Sequence, residues 1–428
     1  MDGGGSSVTK GKASGPQTAP RPMTGLVLTA GGSRGAYQAG VLKRIGELPS
    51  LRNKPSPFPI IAGASAGAIN GAAIASYASN FGEGTARLAQ IWAQLSVTDV
   101  MRTDFRALLG NAGRLTLDLA LGGMIGAGRV ESLFDSSPLR QFLARHLPIA
   151  GIGEAIARRH IYAVAITATG YHSGKAFTFI QGHRGHPMWN KSRRVALKAT
   201  LGIDHVLASS SIPLVFPPVA LKTTGPKAYF GDGALRLVTP LSPAIRLGAD
   251  RLFAIGVRCQ DAADDLVRSE LSDDTGGAAL NRPPLSQICG VFLNAIFLDH
   301  LNADVDHLLR MNALVAAYQA AQARLPTSPQ VSEPMRVIEP LVVSPSEDIA
   351  IIAKTMAHRM PRSIRYLMDG LGTPDAQSAD LMSYLLFDGA FSRELIQLGY
   401  RDAQQRIDEI EDFLVAKSGA GRKRRAAA

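Results

Sequence analysis

The chain has 428 residues, 46% of them hydrophobic, which is enough to bury a large core and excludes a disordered or fibrous protein. Its two cysteines, Cys259 and Cys289, exclude a disulfide framework and a cysteine-built zinc site, so a reducing compartment is expected. The formal net charge of +11 is uneven: Lys417, Arg422, Lys423, Arg424 and Arg425 crowd the extreme C-terminus and leave the body mildly basic.

Residues 1–22, "MDGGGSSVTKGKASGPQTAPRP", are Gly/Ser/Pro-rich and hold no apolar stretch of signal-peptide length, so a disordered leader is expected. The run "GLVLTA" at 25–30 then reads as a buried strand. It enters a glycine-rich patch, "AGGSRG", before an apparent helix. Backbone amides presented by such a patch suit an oxyanion that needs donors already in place. That assigns Gly31, Gly32, Ser33 and Arg34 to an oxyanion loop, with Arg34 bracing the loop or assisting the anion. A nucleotide-binding loop is disfavoured because the first glycine of G-x-G-x-x-G is missing.

The next apolar run, "FPIIAG" at 58–63, leads into "GASAG", residues 63–67, and then into an Ala-rich helix. Strand, sharp turn and helix form the setting of a nucleophile elbow, with Ser65 as the nucleophile and Gly63 and Gly67 allowing the close approach. The most apolar window, residues 60–78, is mostly Ala and Gly and makes a poor membrane span, so no transmembrane segment is expected. Residues 101–125 mix Met, Phe and Leu with arginines and glycines, as either a mobile apolar cover or an ordinary packed helix would.

"IYAVAITAT" at 161–169 and "RLFAIGV" at 251–257 are further buried strands, and the alternation with helices predicts a mostly parallel sheet. Residues 170–180 read as a hairpin that places an antiparallel pair at one edge. In "QGHRGHPMWN", His183 and His186 read as turn residues rather than metal ligands. "YFGDGAL", residues 229–235, presents Asp232 between two glycines after a strand, where a base for Ser65 is needed; alone, Asp-Gly is a common turn.

Residues 261–286 gather acidic residues with Gly and Pro, the composition of a linker or mobile loop. Residues 287–416 are mostly helical in pattern, with Ile407, Ile410, Phe413 and Leu414 on one face and a strand-like "MRVIEPLVV" at 335–343. His300, Asp304 and His307 recur at spacings of four and three. They read as a solvated face opposite Phe297, Leu301 and Leu308 rather than a metal site.

Three motifs in order, the "AGGSRG" loop, the "GASAG" elbow and the "DGA" triplet Asp232, Gly233 and Ala234, resemble the patatin-like phospholipase family over roughly residues 24–258. "ASSSIPLVFPPV" at 208–219 and "PLSPAIRLGADRLFAIGV" at 240–257 extend the resemblance. One departure is Ala30, where the family loop has a third glycine.

The resemblance implies a three-layer α/β fold with a mostly parallel central sheet over residues 23–260, followed by a mostly helical C-terminal extension. It also implies a Ser65–Asp232 dyad without histidine, the loop from Gly31 to Arg34 as oxyanion hole, and hydrolysis of phospholipid or other acyl-ester lipid. No cofactor and no metal are called for. Two alternatives stay open: an α/β-hydrolase triad using His300, His307 or His358, and a non-catalytic lipid-binding protein. The tail, residues 417–428, is expected to give peripheral contact with anionic membrane at the inner surface of an otherwise cytoplasmic protein. Nucleic acid is not an expected partner, since only "GRKRR" suits phosphate. Oligomeric state is left open.

Overall fold

The computed structural model describes residues 22–102, 132–223, 225–259, 285–297, 300–323, 335–362, 364–365 and 379–415. The expected leader, basic tail and most of the acidic linker lie outside these residues, as does most of the apolar 101–125 segment.

Nine strands form one sheet: β1 (Thr24–Leu28), β2 (Ile60–Ala64), β3 (Ala163–Gly170), β4 (Lys175–Gly182), β5 (Arg194–Lys198), β6 (Val219–Lys222), β7 (Lys227–Gly231), β8 (Arg251–Ile255) and β9 (Glu339–Val343). The described helices of the first half are α1 (Gly35–Gly46), α2 (Ala66–Ser76), α3 (Phe81–Gln94), α4 (Val97–Val100), α5 (Ser137–His146), α6 (Gly151–Ala157), α7 (Ile203–Ser210) and α8 (Ser242–Arg246). Those of the second half are α9 (Leu285–Phe297), α10 (His300–Gln322), α11 (Ile349–Thr355), α12 (Ala379–Leu385), α13 (Gly389–Gln405) and α14 (Ile407–Val415).

The main path of the sheet runs β5-β4-β3-β2-β1-β8-β9, parallel except where β4 turns back on β3. β7 joins β3 through Thr169 and Gly170 and carries β6 as a hairpin partner. The antiparallel pair expected near residues 170–180 is therefore present but stands one strand in from the edge, because β5 pairs outside β4. Its short sequence "RVALK" gave no turn signal to announce it.

Strands β1 and β2 read as unbroken apolar runs because both faces are covered. Leu26 and Leu28 point into a core shared with α1, α2, α3 and α13, whereas Val27 points into a second core with Ala244, Leu252 and Leu301. The chain thus has the three-layer α/β architecture that the resemblance implies, with a helical C-terminal region.

That C-terminal region is laced into the sheet. β9 pairs in parallel with β8, from Arg251 against Glu339 to Ile255 against Val343. α13 lies along α1 so closely that Gly40 faces the carbonyl of Ile396 and Gly399 faces that of Tyr37; the Tyr37 hydroxyl donates to Asp402 at 2.9 Å. The cap that starts α13 is Asp388, whose carboxylate accepts the Ala390 N–H at 2.9 Å. Ile410 and Phe413 of α14 are buried, as their spacing predicts.

The solvated face expected on α10 is corrected at one position. Asp304 is buried and accepts the N–H of Leu241 at 2.9 Å, which ties α10 to the start of α8; His307 is exposed and His300 half-buried. A carboxylate reaching a backbone donor from another element leaves no periodic trace in a sequence. Residues 287–322 also contain the stretch of the described chain that is long and apolar enough to cross a membrane by length and composition.

Candidate active site

Ser65 stands between the end of β2 and the start of α2 with φ 54° and ψ −126°, a conformation that non-glycine residues adopt at a cost of about 1–3 kcal/mol. The surroundings hold it there. A β-carbon on Gly63 would run into the carbonyl of Gly67, and one on Gly67 into that of Leu28, so strand and helix meet at a distance only glycine permits. Three consecutive serines fix the elbow from α7. Ser65 N–H donates to Ser209 Oγ at 3.0 Å, Ser209 Oγ donates to the Thr167 carbonyl at 2.6 Å, and Ser210 Oγ donates to the Ser65 carbonyl at 3.1 Å.

The third of them, Ser211, accepts the backbone N–H of Asp232 at 2.8 Å, while Thr169 Oγ1 donates to the Asp232 carbonyl at 2.7 Å. With its backbone pinned on both sides, Asp232 caps the short 3-10 turn Gly233–Leu235: Oδ1 accepts the Ala234 N–H at 2.9 Å. The carboxylate is completely buried, and among the described residues Oδ2 has no hydrogen-bond partner. Burial pushes the Asp232 carboxyl up to about 7; the Ser65 side chain and the Ala234 N–H pull it the other way. The Ser65 hydroxyl thus acts on the carboxylate without closing a bond of good geometry on Oδ2. Such contacts are often loose before substrate arrives. Tyr171 stands beside this group: its phenol is pushed up by burial and then by the charge of Asp232.

The glycine loop after β1 forms a 3-10 turn, Gly32–Arg34, at the mouth of the same site. Arg34 and Gly35 spend their amides inside the turn on Gly31 and Gly32 carbonyls. Among the described residues, the amides of Gly32, Ser33 and Ala66 make no hydrogen bond outside helices and strands. Gly32, Ser65 and Ala66 together border an open cleft of about 530 Å³ whose remaining walls are almost wholly apolar, among them Ile69, Ile91, Trp92, Phe142 and Phe387.

Of the two roles expected for Arg34, its contacts are those of a brace. Its guanidinium is 2% exposed and turns away from Ser65 into α12: Nε donates to Ser383 Oγ at 2.7 Å, Nη2 pairs with Asp380 at 2.6 Å, and its plane lies over the Tyr384 ring at 4.8 Å. Among the described residues, the hydrogen bonds of the guanidinium tie the loop to α12. The partners come from the far end of the chain, and no local pattern in "AGGSRG" points to them.

The three histidines of the triad alternative are not brought to Ser65. His307 and His358 are exposed, and His300 lines a separate cavity of about 440 Å³ behind the strand ends, with Ala64, Ala234 and Phe297. None of them hydrogen-bonds to Ser65 or Asp232. His183 and His186 bond to the carbonyls of their own loop, at Arg184 and Pro187.

The patatin-like phospholipase family profile matches residues 26–245. The chain belongs to that family. Similar solved structures include VipD from Legionella pneumophila, at 12% identity and TM-score 0.35 over 91% of this chain and 67% of that one. Human GIVD cytosolic phospholipase A2 is another, at 13% identity and TM-score 0.38 over 92% of this chain and 59% of that one. The chain thus spans about three fifths to two thirds of the length of these two structures. No curated protein matches the sequence.

Proposed function

We propose that the protein hydrolyses carboxylic esters of lipids through an acyl-enzyme on Ser65, with Asp232 as the general base. The observation that carries this reading is that Ser65, whose side chain acts on the buried Asp232 carboxylate, borders an apolar cleft together with Gly32 and Ala66.

In the first half-reaction Ser65 Oγ attacks the acyl carbonyl while Asp232 takes its proton, so the carboxylate becomes a carboxylic acid. A base with a pKa near 7 suits that exchange, because a large share of it is ionised at neutral pH and it still holds the proton once transferred. Negative charge then develops on the carbonyl oxygen, and the amides of Gly32 and Ala66 on either side of Ser65 are suited to receive it, aided by the positive end of α2. The tetrahedral centre collapses, the leaving alkoxide takes the proton from Asp232, and the acyl group stays on Ser65. In the second half, Asp232 deprotonates a water that attacks the acyl carbonyl, and the proton returns to Ser65 as the fatty acid leaves.

The cleft explains the preference for lipid. Almost wholly apolar walls beside a serine favour an acyl chain over a polar acid. The basic residues Lys417, Arg422, Lys423, Arg424 and Arg425 add the proposed contact with anionic membrane.

The test is ester turnover with trapping. Wild-type protein should release p-nitrophenol from an acyl ester and show the acyl mass on the peptide bearing Ser65. Ser65→Ala and Asp232→Ala should each lose about 10³-fold or more in kcat, with the double variant little worse, because the two act as one unit. Independent, multiplicative losses would reject the mechanism.

A further inference from the structure

Three successive residues of the glycine loop lean on one turn of α12. Gly32, with φ +56°, sits so close to the Tyr384 carbonyl that an added β-carbon would lie 2.5 Å from it. Ser33 Oγ donates to the Ser383 carbonyl at 2.5 Å. Arg34 makes its ion pair to Asp380, its bond to Ser383 Oγ and its stack on Tyr384. α12 is held in turn by α9, where Asn294 Nδ2 donates to Asp380 Oδ2 at 2.7 Å and Asn294 Oδ1 accepts the Tyr384 hydroxyl at 3.0 Å.

A guanidinium this deeply buried needs an anion beside it, and Asp380 is that anion. The pairing crosses 346 residues of chain and reaches well past residue 245, where the family match ends. It belongs to this chain's own C-terminal stretch. Within the turn the amides of Arg34 and Gly35 close on the carbonyls of Gly31, Gly32 and Ser33, and among the described residues the side-chain hydrogen bonds of Ser33 and Arg34 all run to α12.

We propose that α12 is the positioning element of the oxyanion loop, with Asp380 as the residue that aims the Gly32 amide by holding Arg34. This rests on the reading of Ser65 and the loop given above. Asp380 touches no reacting atom. Its effect travels through Arg34 to the adjoining amide, and donors misplaced by about 1 Å cost on the order of 10²-fold in rate while leaving ground-state binding nearly intact.

The experiment compares steady-state hydrolysis of a short-chain p-nitrophenyl ester by full-length wild type, Asp380→Asn, Asp380→Glu and Ser383→Ala. It adds the rate at which a small fluorophosphonate labels Ser65 and the melting temperature of each protein. Asp380→Asn should lower kcat and the labelling rate by about 10²-fold with KM within about threefold; Asp380→Glu should recover much of the loss, and Ser383→Ala should fall between. Asp380→Asn that melts lower but turns over at the wild-type kcat would overturn the proposal, leaving α12 a purely structural support. Should Asp380→Asn fail to fold, Arg34→Met combined with Asp380→Leu removes both buried charges together: a folded protein with lowered kcat is expected, and wild-type kcat overturns the proposal. A wild-type protein that neither turns over ester nor labels at Ser65 would overturn the dyad reading and this one with it, whereas an active wild type beside an unaffected variant overturns only the clamp.

Discussion

Ser65 donates its backbone N–H to the hydroxyl of Ser209 at 3.0 Å, across 144 residues of chain, and the same hydroxyl passes its own proton to the Thr167 carbonyl. One side chain thereby joins the end of β2, the last turn of α7 and β3 directly beneath Ser65. Ser209→Ala leaves a buried donor and a buried acceptor unpaired, a loss of about 1–3 kcal/mol in stability. Since the Ser65 turn is itself strained, it should relax when the bond goes. The expected result is a lower melting temperature together with a fall in kcat of about tenfold or more, an estimate based on the cost of small misplacements. Unchanged kcat in the folded variant would show that the elbow holds its shape without Ser209.

How far the sequence exposes this arrangement depends on how local each interaction is. The elbow is legible because its cause is local: strand, Gly63, Ser65, Gly67 and helix lie within a few residues, and the steric demand writes itself as glycines. β1, β2, β3 and β8 are legible because two covered faces demand unbroken apolar runs. β5 and β6 are short and half-exposed, so they leave no such run. Ser209 and Ser210 stand out as part of a family-like segment, but their bonds to Ser65 form only when α7 packs against β2. The destination of Arg34 is the least legible of all, because its partners are set by how α12 docks on the loop.

The Asp232 carboxyl, raised by burial to about 7, sets a pH dependence. A general base works only when ionised, so kcat/KM should climb through pH 7 and flatten above it, with the rising limb near 7 rather than near the usual carboxylate value of about 4. A pH–rate profile on a soluble ester reads this directly. A rising limb near pH 4 would mean that the carboxylate is well solvated in the working enzyme, and the proposed base would then lose its physical basis.

The same burial has a stability consequence of opposite sense. The folded protein holds the Asp232 proton more tightly than the unfolded chain does, so the associated stability is present below about pH 4 and is lost as pH rises through 7. At pH 8 the native state therefore carries an ionised, desolvated carboxylate at a cost on the order of a few kcal/mol. Asp232→Asn removes that charge. Its melting temperature should exceed that of wild type at pH 8, and the gap should close toward pH 4, even though the variant is inactive. A gap that is constant with pH, or one that widens on acidification, would contradict the assignment.

Histidine substitutions discriminate between a carboxylate base and an imidazole base. His300, His307 and His358 do not hydrogen-bond to either member of the Ser65–Asp232 pair, and His300 faces the other cavity. Alanine at each should leave kcat within about twofold in folded protein, far from the loss of about 10²–10⁴ that follows removal of a general base. Collapse of turnover in any one of them would favour a triad.

Chain-length preference tests what the cleft accepts. Ile91 of α3 lies on the wall shared with Ile69 and Trp92 and is only partly buried, so a larger side chain there fills cleft space instead of overpacking the core. Ile91→Trp should narrow the passage for an acyl chain while leaving Ser65, Asp232 and the glycine loop in place. Each methylene that loses its apolar contact forfeits about 0.8 kcal/mol of burial, so three or four excluded methylenes lower kcat/KM by roughly 10²-fold. Hydrolysis of p-nitrophenyl laurate should therefore fall steeply relative to wild type. Hydrolysis of the acetate, whose acyl group ends beside Ser65, should change by no more than about twofold. If both esters fall together, the substitution has disturbed the catalytic groups themselves. If neither falls, the acyl chain does not lie along α3, and the apolar cleft beside Ser65 serves some other part of the substrate.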